Sequence, residues 1–280
     1  MTAPDDAAEA AETGDRRKFI ESARLLGVVL PIVVFVVAVG LWEWVVRAND
    51  IAPYILPAPS AVATTLVKDW DTLSASLLVT LRTMAIALAL ATGGGVLLAV
   101  IFAQSRLIER SLYPFAVILQ VTPIVSIAPL LLVYLDAGTA MLVCAFIVAF
   151  FPILSNTTLG LASTDPNLRD LFGLYGAGRW RELVLLRVPS ALPYFLGGLR
   201  IGGGLALIGA VVAEIAAGSA GQGSGLAYRI VESGYRLNIP RMFAALILIS
   251  ATGILVYATL ALLSHLLLRR WHESALDRGE

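Results

Sequence analysis

Lysine and histidine each occur twice in this 280-residue sequence, and cysteine occurs once. Each scarcity closes off a chemistry. A lone cysteine, Cys144, cannot form a disulfide within the chain; it lies in an apolar run, where a thiol packs as a small apolar group. One cysteine and two late histidines, His265 and His272, cannot assemble a typical metal site. A phosphate-binding P-loop needs glycine immediately before its lysine. Lys18 follows arginine and Lys68 follows valine, so the chain carries no such site. No serine has an evident base to activate it, and enzyme chemistry is not expected.

Charge is scarce as well. Only 14% of residues are charged and 58% are hydrophobic, against about 25% and about 45–50% in soluble domains. Mean hydropathy is +0.84. One soluble core cannot absorb that excess, and a hydrocarbon solvent explains it. Net charge is zero, so the overall balance says nothing about nucleic acid, and no nucleic-acid partner is expected.

Six apolar stretches are present, at about 25–46, 84–102, 112–135, 138–162, 193–217 and 242–268. The region from Ser111 to Ser163 has Asp136 as its one charge and is too long for a single span of about 20 residues. Asp136 and Gly138 divide it into a helical hairpin. Barrel strands are about 10 residues long and alternate in polarity, whereas these runs are longer and apolar on all sides. An all-α membrane protein with about six transmembrane helices is predicted. Pro114, Pro123 and Pro129 predict kinks or breaks in the third span.

Residues 1–24, acidic and then basic, read as a disordered cytoplasmic tail and not as a secretory signal, which begins with basic residues. Residues 269–280 read as a second tail. With the N-terminus inside, the inner segments hold 13 of the 20 basic residues and the outer ones six. That bias predicts both termini on the cytoplasmic side.

Gly198, Gly202, Ala206, Ala210, Ala213 and Ala217 form a small-residue face on the fifth span. Such faces let helices approach closely, either within the chain or around a pathway or subunit interface. Arg200 lies roughly 10 Å into that helix and Glu214 roughly 21 Å further, so the two cannot pair; Glu214 falls near the outer mouth. Charges inside spans are costly and often functional. Arg200 and Glu214, with the polar Gln120, Thr122 and Asn156, are candidates for a translocation path. Hydrogen bonds between helices are the alternative.

The most distinctive segment is the loop at 163–192. Asp165-Pro166 marks a helix start. Leu168, Leu171 and Phe172 form an apolar stripe, broken by Gly176-Ala177-Gly178. Trp180, Leu183, Val184 and Arg187 then form a second amphipathic piece, expected to stop at Pro189. Two short helices meeting at a glycine bend suit docking into a partner. A linker lying flat on the membrane surface is the other reading.

This loop resembles the coupling segment of binding-protein-dependent permeases of ATP-binding-cassette (ABC) importers. Asp170, Gly176 and Pro189 fall at that motif's spacing, and Ala177-Gly178-Arg179-Trp180 resembles its continuation. Leu171 and Phe172 stand where the family has two alanines, a departure on the face that would meet the ATPase. Trp42-Glu43-Trp44, Tyr54-Ile55-Leu56-Pro57-Ala58-Pro59-Ser60, Gly198-Leu199-Arg200-Ile201, Val212-Ala213-Glu214, Gly225-Leu226 and Arg269-Arg270-Trp271-His272 resemble the nitrate/sulfonate/taurine branch. The resemblance implies a type I importer permease in the cell (inner) membrane, with a coupling helix between helices 4 and 5. Asp170, Leu171, Phe172, Gly176, Ala177, Gly178, Arg179, Trp180 and Pro189 would couple to two ABC ATPase subunits, which hold the ATP and Mg2+ that this chain does not. A second permease copy and a substrate-binding protein outside would complete the assembly. Arg229, Glu232 and Arg236, in the outer segment 218–241, are candidate binding-protein contacts; a solvated cap is the alternative. The solute would be small, and anionic or heterocyclic.

A secondary transporter or facilitator channel is the competing class. Ion coupling would call for ionisable groups at mid-membrane, and the middles of helices one, two, three, four and six have none. A neutral-solute facilitator stays open on the residues alone.

Overall fold

The computed structural model describes residues 27, 29–218 and 223–269. The acidic and basic N-terminal tail and the Arg270-Trp271-His272 ending lie outside the described residues. Among the described residues every regular element is helical. The chain divides after Thr64 into two units.

In the first unit, α1 (Val29–Ala48) has 20 residues. At 1.5 Å per residue it is about 30 Å long, the thickness of a bilayer's hydrocarbon core. It is exposed along most of its length. Glu43, near its end, accepts hydrogen bonds from the Ser60 backbone N–H (3.0 Å) and hydroxyl (2.7 Å) and pairs with Arg47. Ser60 opens α2 (Pro59–Lys68), so the acidic side chain caps a helix N-terminus. The Trp42-Glu43-Trp44 and Pro59-Ser60 motifs thus meet at one carboxylate.

The second unit holds α3 (Trp70–Gln104), α4 (Arg106–Val121), α5 (Ile124–Tyr134), α6 (Ala137–Ala162), α7 (Pro166–Leu174), α8 (Arg179–Ala217), α9 (Leu226–Tyr235) and α10 (Ile239–Leu268). α3 has 35 residues, about 52 Å of helix, so it overruns the hydrocarbon core. Its apolar stretch is the one expected at 84–102. The preceding turns carry Asp71, Ser76, Thr80 and Arg82 beyond it.

The expected third span is bent. α4 and α5 meet at 98°, so 112–135 is not one straight arm of a hairpin. Pro123 has no N–H to continue the ladder, and it pushes Thr122 to extended geometry, φ −73° and ψ 123°. Pro114 and Pro129 are accommodated inside α4 and α5. Asp136 then caps α6, accepting from the Thr139 N–H at 2.9 Å and its hydroxyl at 2.7 Å.

The core lies where α8 crosses α6 and α3. A Cβ on Gly198 would overlap the Pro152 carbonyl and Asn156, and one on Gly209 would overlap Ala145 and Val148. Ala206, Ala210 and Ala213 are fully buried beside them. The small-residue face of the fifth span is therefore consumed by packing within the chain, where close backbones maximise dispersion contacts.

Candidate coupling and gating sites

Two polar constellations flank this core, one at each end of α3 and α8. The first surrounds the 163–192 loop. Asp165 caps α7 by accepting from the Asn167 N–H at 2.8 Å, with Pro166 at the first helical position. α7 ends at Leu174, and Gly176 turns the chain at φ +66°, a left-handed conformation that favours glycine. The bend expected at 176–178 is present. The stop expected at Pro189 is not: α8 runs unbroken from Arg179 to Ala217. A π turn over Leu183–Arg187 absorbs the proline, with the Val188 N–H reaching the Leu183 carbonyl. The loop is one short helix and a bend leading into a helix of 39 residues, longer than a single span requires.

Asp170, Leu171, Arg179 and Trp180 are exposed, and Phe172 and Ala177 are half-buried. Leu174 and Tyr175, unremarked in the sequence, are the most exposed large apolar side chains here, at 86% and 83%. Glu182 was also missed. It accepts from Arg169 Nε at 2.9 Å and Arg187 Nε at 2.8 Å on the same oxygen. Its sequence signal was a single acid between Arg179, Arg181 and Arg187.

The second constellation holds α9. The buried Glu214 carboxyl accepts from the Thr80 hydroxyl at 2.7 Å and the Ala227 N–H at 2.9 Å, while the Leu226 N–H donates to Thr80 Oγ1 at 3.0 Å. A carboxyl at the first turn of α9 suits the positive end of the helix dipole. Gly225 is required there, because a Cβ would overlap the Glu214 carboxyl group. Arg229 donates to Ser76 Oγ at 2.9 Å and to Glu232 at 2.8 Å, and Arg241 donates to Asp69 at 2.6 Å. Arg236 pairs with Glu232 at 2.9 Å but is 68% exposed. The hydrogen bond from Arg229, aided by the charges of Arg229, Arg236 and Arg241, holds the Glu232 carboxyl below the ordinary carboxylate range.

The structure does not gather the path candidates into one cluster. Glu214 is committed to α9. Asn156 packs on Gly198 and donates to the Pro152 carbonyl at 2.8 Å. Thr122 donates to the Ile118 carbonyl at 2.7 Å, and Gln120 is exposed; both sit at the α4–α5 elbow. Arg200 stacks over the Tyr257 ring at 5.7 Å, and its buried Nε has no hydrogen-bond partner among the described residues. No three His, Cys, Asp or Glu side chains converge on a metal position among the described residues.

Comparison with known proteins agrees with this architecture. The family model described as "Binding-protein-dependent transport system inner membrane component" matches residues 91–270. The formylaminopyrimidine transport permease protein ThiX of Halalkalibacterium halodurans is 33% identical over 241 residues, 85% of this chain and 94% of that one. The riboflavin transport system permease protein RibX of Chloroflexus aurantiacus is 33% identical over 252 residues, 88% of this chain and 90% of its own. More distant relatives include sulfonate and nitrate permeases at 26% and 29% identity. A solved amino acid ABC transporter chain shares the fold, with TM-score 0.58 and 19% identity over 74% of this chain and 97% of that one. The chain belongs to the binding-protein-dependent transport system inner membrane component family, the multi-pass permease subunits of ABC importers, whose ATPase is a separate subunit.

Proposed function

We propose that this chain forms the gated membrane pathway of an ATP-driven importer and takes its mechanical input at the Gly176 bend. One observation carries the reading. Leu168, Leu171, Leu174, Tyr175 and Trp180 stand exposed around a short helix and bend outside the apolar spans. Apolar side chains held out in that way mark a protein interface. Asp170, Phe172, Ala177, Gly178 and Arg179 complete the surface, and Pro189 lies just past the π turn of the long helix that leads away from it. Two copies of the chain pair, and each seats one ATPase subunit holding ATP and Mg2+. Both termini face the cytoplasm, as the distribution of arginines favours.

On the outer side, the exposed Arg236 is the better binding-protein contact. Arg229 and Glu232 support it from behind, since Arg229 is turned inward onto Ser76. The path runs by the α4–α5 elbow at Gln120 and Thr122, because broken helices at membrane depth belong beside cavities. Arg200, stacked on Tyr257 with an unused Nε, is suited to a small anion or a planar heterocycle. Relatives named for formylaminopyrimidine, riboflavin, sulfonates and nitrate support that solute range.

The test is Gly176→Asp. Membrane insertion should be normal and solute uptake abolished. Normal uptake by this variant would remove the docking role.

A further inference from the structure

α7 carries the docking surface yet buries none of its own residues. Phe172 is only half-buried, so apolar packing holds α7 loosely, and a polar link reaches it as well. Arg169 of α7 and Arg187 of the π turn both donate to one Glu182 oxygen, and Arg187 Nη1 also donates to the Ala103 carbonyl at 3.2 Å. Ala103 lies in the last turn of α3, where helix carbonyls have no partner in their own helix and a cation is favoured by the dipole. The Arg187 and Glu182 side chains are 16% and 20% exposed, sheltered enough for the ion pair to hold its geometry. Asp69 at the N-cap of the same α3 holds Arg241, and Ser76 and Thr80 within it hold Arg229 and the first turn of α9.

We propose that Arg169, Glu182 and Arg187 are positioning residues that lock the docking projection to the inner end of α3, so that a push on α7 reaches α9 along that helix. The inference rests on the docking reading above. A helix register is stiff along its axis, whereas the Gly176 bend alone would let α7 swing. Without the relay, the ATPase binds and turns over, but its strokes are absorbed at the bend.

The experiment uses the purified permease with its ATPase, comparing amide hydrogen exchange over residues 226–235 with and without ATP, Mg2+ and vanadate. The wild-type complex should show a nucleotide-dependent change there. Glu182→Ala, Arg187→Ala and the double variant should bind the ATPase at wild-type stoichiometry and reduce that change by about tenfold, the scale of an ordinary coupling energy. The double variant should be no worse than either single one, since all three break one relay. Glu182→Gln, isosteric and uncharged, should show a smaller reduction and guards against a folding defect. An undiminished response in Glu182→Ala overturns the relay. Loss of ATPase binding in Glu182→Ala, with binding intact in wild type, would make Glu182 a docking contact and overturn it too. Failure of the wild-type chain to bind the ATPase would bring down the docking reading itself.

Discussion

Replacing Glu214 by leucine should loosen α9 while leaving the rest of the bundle packed. Leucine has nearly the volume of glutamate but no acceptor. Thr80 can still accept from the Leu226 N–H and can turn its hydroxyl to the Ser76 carbonyl, 3.3 Å away. The Ala227 N–H cannot adapt, because its partner is Glu214 Oε2. One buried donor left unmet costs about 1–3 kcal/mol, and 2 kcal/mol corresponds to roughly thirtyfold in an opening equilibrium. Hydrogen exchange over residues 226–235 should therefore accelerate by about thirtyfold in Glu214→Leu, on the arithmetic of one lost bond. Glu214→Gln should do much less: its carbonyl can serve Ala227 and its amide can donate to Thr80. If leucine left exchange unchanged, or glutamine proved as damaging as leucine, the carboxyl would not be the anchor of this helix.

Other substitutions separate packing from surface. Gly198→Ala overlaps the Pro152 carbonyl and Asn156 and should destabilise the bundle by about 1–3 kcal/mol, read as a lower thermal midpoint in detergent. Gly204→Ala meets nothing within 4 Å and should leave that midpoint unchanged or raised, since alanine is the better helix former. Glu232, held below its ordinary value by Arg229, stabilises the outer network above the unfolded pKa and loses that contribution as pH falls through the folded one. The protection factor of the α9 amides, which removes the intrinsic slowing of exchange in acid, should fall on acidification, and Glu232→Gln should flatten that fall. Gly176→Asp should insert normally and fail to import.

Much of the fold was legible because hydrocarbon imposes a simple rule on sequence: long apolar runs become helices. The division at Asp136 was equally readable, and so was a break among Pro114, Pro123 and Pro129, since both are local chemistry; that Pro123 makes it was not. What escaped was non-local. α3 extends N-terminally past its apolar window because Ser76 and Thr80 find partners in Arg229, Leu226 and Glu214, more than a hundred residues away. Pro189 looked like a stop because the compensating π turn has no sequence mark. The small-residue face could be seen, but whether α6 or a second copy filled it could not. At the coupling loop, Gly176 was found by resemblance and by its role as a breaker. Glu182 was hidden because its two partners, Arg169 and Arg187, lie 13 and 5 residues away in sequence.

Cysteine cross-linking at the bend tests the central claim most directly. Cys144 is the one cysteine in the sequence, so Cys144→Ser gives a clean background for Tyr175→Cys, whose position is 83% exposed. The account predicts a cross-link from position 175 to the ATPase subunit, with a yield that changes when ATP and vanadate are added. A complex that imports its solute while position 175 never joins the ATPase in any nucleotide state would contradict it.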